Sequence, residues 1–295
     1  MAEARAARID LRGLTMSRTT LVCAGAALLY TAAFILYPYG HVGVFSFWAK
    51  DLYSIRPDFI LDNYQRIVER PLYLTVIGNS LRIATMVTLV SAVMGYVLAM
   101  FLARYAGRWK NTLFILLLVP LWTSFLLRAY VWKIILGRNG LIGGFLGQFG
   151  VEPDQLGFLL YSDVSIVIAL VYIFVPFVAI PVFAALEKIP PAYGEASADL
   201  GARPIRTFVH VTFPLTVPSL LAGCTIVFCL SFGDFITPAL LGGSDNIMIA
   251  NVIIGQFGAA FDWPFGSALA IVVLATVLVV VSAAAWVGNR VAGGR

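Results

Sequence analysis

Six stretches of this chain, roughly 20–37, 79–103, 112–136, 165–186, 214–233 and 265–288, each hold about 20 mostly apolar residues, the length a helix needs to cross a bilayer. Hydrocarbon offers no partner to an unpaired backbone group, so helices are the expected form. Composition points the same way. Of 295 residues, 60% are hydrophobic and only 12% charged, and the mean hydropathy is +0.91. Soluble domains carry about 25% charged residues. Half that charge cannot keep so large a surface wet, which excludes a soluble enzyme, a disordered chain and a disulfide-stapled secreted module. The expected fold class is all-α, a polytopic membrane protein of six transmembrane helices. Cys23, Cys224 and Cys229 lie in apolar stretches without C-x-x-C spacing, so they are expected to be inert.

Orientation follows from Lys and Arg in alternate loops. One side holds twelve of them, among them Arg5, Arg104, Arg108, Lys110, Lys188, Arg203 and Arg290. The other holds five: Lys50, Arg56, Arg66, Arg70 and Arg138. Both termini are therefore expected in the cytoplasm. The formal net charge of +5 is a topology signal and gives no reason to expect nucleic acid as a partner; membrane lipids are. The first stretch follows an Arg-rich lead but has no small-x-small cleavage pattern before Tyr37-Pro38-Tyr39-Gly40, so it reads as an uncleaved anchor. The expected organisation is a cytoplasmic segment 1–19, a first helix 20–37, an extracytoplasmic segment 38–78, a five-helix core 79–288 containing a cytoplasmic loop 187–213, and a tail 289–295.

That loop is too structured to be a plain connector. Pro191 suits a first helical turn, Ala196, Ala198 and Leu200 favour helix, and Gly201 with Pro204 terminates it. A short helix over about 191–200 follows, and a second, over about 204–211, is expected to lead to Phe213-Pro214. Glu195 and Asp199 stand four residues apart on one face, a like-charge spacing that weakens an isolated helix by a few tenths of a kcal/mol. Pairing of Asp199 with Arg203 is expected to offset part of this. Small residues at Ala192, Ala196 and Ala198 let another surface approach. The segment reads either as a docking element or as an ordinary amphipathic connector.

Glu195-Ala196-Ser197, three residues, Gly201, nine residues and Val211-Thr212-Phe213-Pro214 resemble the EAA loop of ATP-binding-cassette importer permeases, whose pattern is Glu-Ala-Ala, three, Gly, nine, Ile-x-Leu-Pro. The chain departs from it at Ser197, Val211 and Phe213. Leu61-Asp62-Asn63-Tyr64, the run Pro120–Trp132, Ser231-Phe232-Gly233-Asp234-Phe235, Leu241-Gly242-Gly243 and Trp263-Pro264-Phe265-Gly266 are together similar to the first permease subunit of spermidine/putrescine importers. The resemblance covers roughly 60–290. It implies the type I importer permease fold in a bacterial inner membrane and a translocation path for a small cationic solute. Relatives with other cargo share much of the pattern, so a different small solute stays open. It also implies ATPase-coupling residues: Glu195, Ala196, Ser197, Asp199, Gly201, Arg203 and Pro214. The partners it implies are an ATPase subunit dimer, a second permease subunit and an extracytoplasmic solute-binding protein.

The chain lacks G-x-x-x-x-G-K-[ST], so no phosphate cradle is expected on it. ATP and Mg are expected on the separate ATPase, with no cofactor, metal or catalytic residue here. An ion-gradient transporter would place paired ionisable groups mid-membrane, and the spans show almost none. A membrane enzyme is equally unsupported, since His41 and His210 fall on opposite sides. Candidate path residues are Asp234, which could attract an ammonium group, and Trp122 and Tyr130, whose rings could offer cation–π contacts worth roughly 0.5–2 kcal/mol. Each also has a plain structural reading, as a helix-end carboxylate for Asp234 and as interhelical packing for the rings.

Overall fold

The computed structural model describes residues 18–51, 54–137, 140–148, 161–243 and 246–293. The expected segment 1–19 thus lies outside the described residues as far as residue 17, as do residues 294 and 295 of the tail. In chain order the helices begin with α1 (Arg18–Thr31), a π-helical turn (Ala32–Leu36) and α2 (Tyr37–Phe45). A two-stranded hairpin, β1 (Ala49–Lys50) and β2 (Ile55–Arg56), precedes α3 (Asp62–Glu69) and α4 (Pro71–Arg104). Then come α5 (Lys110–Leu118), α6 (Phe125–Leu136), α7 (Leu141–Gly147) and α8 (Asp163–Glu187). The last third holds α9 (Pro191–Asp199), α10 (Pro204–Thr207), α11 (Phe213–Phe232), α12 (Ile236–Leu241), α13 (Ile249–Phe257) and α14 (Trp263–Gly293).

Among the described residues, five helical segments are long and apolar enough to cross a membrane, and a sixth is a bent pair. Several expected boundaries move. The first helix continues past Pro38 to Phe45. Proline removes a donor and crowds the carbonyl four residues back. Here the preceding π turn, in which the Tyr37 N–H bonds the Ala32 carbonyl, widens the helix enough to admit it. The second span begins at Pro71 rather than 79, because proline at the first turn starts the helix there and the apolar residues of Leu72–Ile77 continue it into the expected stretch. The outer connection therefore shrinks from 38–78 to 46–70.

The third span, expected straight over 112–136, is broken. After α5 the chain passes through a 3-10 turn at Val119–Trp122, extends at Thr123 and Ser124, and restarts as α6, with a bend of 95° between the halves. The expected separate helix over 204–211 is instead the start of the fifth span. α10, a π turn (Phe208–Thr212) and α11 form one continuous helix from Pro204 to Phe232, the π turn making room for Pro214 as the earlier one does for Pro38. The sixth span runs on through Gly293, into the expected tail.

Helices α4, α8 and α11 form the centre. Lipid tails are as apolar as Leu, so association rests on close packing rather than on exclusion of water. Gly95 of α4 and Gly223 of α11 both press on Val178 of α8: a Cβ at Gly95 would lie 2.8 Å from the Val178 Cβ, and one at Gly223 2.8 Å from its Cα. The Tyr96 hydroxyl meets the Thr216 hydroxyl at 2.9 Å inside this seam. Two ion pairs mark its ends, Arg82 with Asp163 and Lys110 with Glu187. At 1.5 Å rise per residue, Arg82 to Arg104 on α4 covers about 33 Å, close to the hydrocarbon thickness of about 30 Å. A second cluster, with Ile67, Tyr73, Phe232 and Phe265, joins α3, α4, α11 and α14 beyond the Asp163 end. There Arg66 pairs with Asp262 at 2.9 Å and stacks 4.0 Å from the Phe265 ring centroid, while Asp262 caps α14 by accepting the Phe265 N–H.

Candidate functional site

At the Glu187 end, α9 stands clear of the bundle. Every residue from Pro191 to Asp199 is exposed except Ser197, which is partly so. Proline at its first turn starts it. Its end is a Schellman turn: Gly201 sits at φ +74°, its N–H bonds the Ala198 carbonyl at 2.8 Å, and the Ala202 N–H bonds the Ser197 carbonyl at 3.1 Å. That left-handed conformation is what glycine adopts at no steric cost. The turn reverses the chain and leaves Leu200 88% and Ile205 79% exposed.

The structure brings together part of the expected set. Glu195, Ala196 and Asp199 share the exposed helix, and Gly201 closes it. Among the described residues no ion pair joins Asp199 to Arg203, against expectation. The helix ends at Asp199, and the turn carries Arg203 out of the i, i+4 geometry into an extended N-cap position ahead of Pro204. Ser197 does something a sequence reading missed: its hydroxyl bonds the Thr207 hydroxyl at 2.9 Å, tying α9 to the long fifth helix. The alanine of the family pattern cannot make this bond. Pro214 lies further up that helix, apart from the exposed turn.

Asp234 lies at the opposite end, just beyond the fifth span, and is 7% exposed. One carboxylate oxygen accepts the Ile236 N–H and the other the Thr237 N–H, each at 3.1 Å, so the side chain caps α12. Burial pushes its carboxyl above the usual range, and the backbone N–H donors pull it back. Trp122 is 77% and Tyr130 50% exposed, on either side of the break in the third span. Neither is packed between helices of this chain. α6 rests on α12, yet among the described residues no hydrogen bond or ring contact joins Asp234 to Trp122 or Tyr130. Arg128, one turn into α6, has buried Nε and Nη1 atoms without a hydrogen-bond partner among the described residues. Among the described residues no group of three His, Cys, Asp or Glu could hold a metal ion.

Comparison with known proteins adds independent findings. A family model described as "Binding-protein-dependent transport system inner membrane component" matches residues 91–293. The chain is 39% identical over 227 residues to the spermidine/putrescine transport system permease protein PotB of Escherichia coli (strain K12), covering 77% of this chain and 82% of that one. It is 36% identical over 230 residues to the inner membrane ABC transporter permease protein YdcU of the same strain, covering 74% and 73%. A chain in the crystal structure of a bacterial alginate ABC transporter, in complex with an alginate pentasaccharide-bound periplasmic protein, superposes with a TM-score of 0.73 at 16% identity, over 92% of this chain and 94% of that one.

Proposed function

This chain belongs to the family of binding-protein-dependent transport system inner membrane components, and from that premise we propose that it carries polyamines of the spermidine and putrescine class. It is a multi-pass permease of a bacterial inner membrane with the type I ABC importer permease fold. The cargo reading is supported by the 39% identity to PotB, sustained over 77% of the chain.

In this reading α9 is the contact for a separate ATPase subunit, which holds ATP and Mg and does the hydrolysis. The observation that carries it is a helix exposed on nearly all sides, held by a left-handed glycine at the spacing Glu195, Gly201, Pro214. An amphipathic connector would bury one face against the bundle. The excess of Lys and Arg on the α9 side supports a cytoplasmic position for that end and for both termini. In the same reading the exposed rings of Trp122 and Tyr130 offer faces to an ammonium group, and Asp234, fixed by its two backbone bonds, is the candidate carboxylate at the α12 end. A second permease subunit completes the path, and an extracytoplasmic binding protein delivers the solute.

The test is the ATPase rate of the purified transporter, reconstituted with its partner subunits, in the presence of loaded binding protein. Spermidine- or putrescine-loaded binding protein is expected to stimulate hydrolysis. Stimulation by another cargo and by neither polyamine overturns the cargo assignment.

A further inference from the structure

The turn between α13 and α14, residues 258–262, holds backbone strain that nothing inside the chain offsets. Among the described residues only two outside glycine have a positive φ, Tyr161 at +60° and Phe261 at +48°. A bulky L residue rarely adopts that conformation, because its Cβ crowds the backbone. Tyr161 has the Lys133 ammonium 6.0 Å from its ring centroid. Phe261 is 70% exposed, and among the described residues no ring or cation contact meets it. Glycine or asparagine would hold the same turn with less strain. Strain kept at one residue, with its side chain turned outward, points to a use for that side chain outside the chain.

The turn is fixed from several sides. The Lys50 ammonium donates to the Ala260 carbonyl at 2.6 Å. The Phe261 N–H bonds the Gly258 carbonyl at 3.3 Å, and the Asp262 N–H bonds the Gln256 carbonyl at 2.8 Å. Arg66 holds the Asp262 carboxylate at 2.9 Å, and Trp263 meets Phe257 edge-on with centroids 5.8 Å apart. A ring on so firm a base loses little freedom when it makes a contact. It also stands above the membrane. Phe265 meets Tyr73 of α4, and from Tyr73 down to Arg82, at the hydrocarbon edge, is about 14 Å. Head groups add only about 5–8 Å to each face of the hydrocarbon. α14 agrees, since Arg290 to Trp263 covers about 40 Å, about 10 Å more than the hydrocarbon. Phe261 precedes both Trp263 and Phe265 and so lies clear of lipid.

We propose that Phe261 anchors the extracytoplasmic solute-binding protein, its ring entering an apolar recess on that protein's surface. On the reading that the α9 end is cytoplasmic, this turn faces outward. The family is described as binding-protein-dependent, so a protein has to be caught on the outer face, and aromatic side chains are enriched in the cores of such contacts. The bonds around residues 258–262 hold the ring ready, and the strain at Phe261 is the cost of pointing it away from the bundle.

The test uses the transporter with its partner subunits in bilayer discs and spermidine-loaded binding protein, and reads the ATPase rate against binding-protein concentration. Phe261→Ala and Phe261→Asn, the second compatible with the left-handed backbone, should each raise the half-maximal concentration about tenfold, the equivalent of about 1.4 kcal/mol, and leave the saturating rate unchanged. Phe261→Trp should stay within about threefold of the unaltered protein. An unchanged half-maximal concentration in either small variant overturns the proposal, as does a lower saturating rate reached at the original half-maximal concentration. A benzophenone amino acid at position 261 should capture the binding protein, and capture of lipid or of the second permease instead overturns the assignment. Binding measured without ATP separates docking from cargo: a Phe261-dependent affinity with no stimulation by spermidine or putrescine sinks the cargo assignment alone. Phe261→Cys should react with a membrane-impermeant maleimide outside spheroplasts, and failure to react overturns the orientation together with the docking role.

Discussion

Gly201 separates backbone geometry from close approach. Its φ of +74° costs an L side chain roughly 1–2 kcal/mol. Nothing lies within 4 Å of where its Cβ would stand, so Gly201→Ala adds backbone strain and no clash within the chain. Strain of that size changes a local equilibrium by about 5–30-fold. The turn is at an exposed end, so the cost falls on the docking helix and leaves the α4, α8 and α11 packing untouched. Asn tolerates the left-handed region better than Ala, so Gly201→Asn should lose affinity for the ATPase by less than about fivefold, against about 5–30-fold for Gly201→Ala. Gly201→Trp carries the same backbone strain as Ala. Its ring is free in this chain, but α9 is proposed to insert into a partner. It should therefore lose at least another order of magnitude, about 1.4 kcal/mol or more, and abolish ATP-dependent uptake. Affinity measured by pull-down of the ATPase, alongside uptake into proteoliposomes, orders the three. Equal losses for Ala and Trp would refute close approach at this turn. An unaffected Gly201→Ala would refute the conformational role.

Gly223→Ala should destabilise the bundle by about 1–3 kcal/mol, because the new methyl meets the Val178 Cα at 2.8 Å and the Phe177 carbonyl at 2.9 Å, both backbone atoms that cannot rotate away. Gly78→Ala, with nothing within 4 Å, should be neutral or raise the thermal unfolding temperature in detergent; a parallel loss in both would undo the packing argument. Asp234→Asn keeps one acceptor oxygen and leaves one buried N–H short of its partner, a cost of about 1–3 kcal/mol. Polyamine uptake per folded transporter should fall as well, and an unchanged value would reduce Asp234 to a helix cap.

What the sequence made legible follows from where local chemistry dominates. α8 was readable to within two residues, since its apolar run is unbroken from Val164 to Leu186 apart from Ser165. α9 was readable from Pro191 and Gly201, because those residues set φ by their own covalent structure. The third span was not. Hydropathy sums over a window and cannot register a 95° bend, although Pro120 and the polar pair Thr123-Ser124 stand at the break. Pro38 stands just past the expected end of the first helix at 37, yet a π turn admits it and the helix runs on to Phe45. Within the site, Ser197 in place of alanine was visible as a departure, but its partner Thr207 lies across a chain reversal. The Arg66–Asp262 pair joins residues 196 positions apart, and no local pattern announces such a bond.

The continuous fifth helix changes how a push at α9 would travel. Two short helices before Phe213-Pro214 would have introduced a hinge, and a hinge absorbs displacement. One helix from Pro204 to Phe232 spans about 43 Å, from the turn beneath α9 to within two residues of Asp234. At its lower end the Ser197–Thr207 bond fastens α9 to it. At its upper end Asp234 fixes α12 by two backbone bonds, and α12 packs on α6, the far half of the broken span. A rigid element thus connects the proposed motor contact to the side of the bundle where Trp122 and Tyr130 are exposed. Its soft places are the π turn at Phe208–Thr212, where the backbone hydrogen bonding is already displaced, and Pro218, which has no N–H to donate. Gly223, pressed on Val178 above that turn, holds the upper part of the helix against α8.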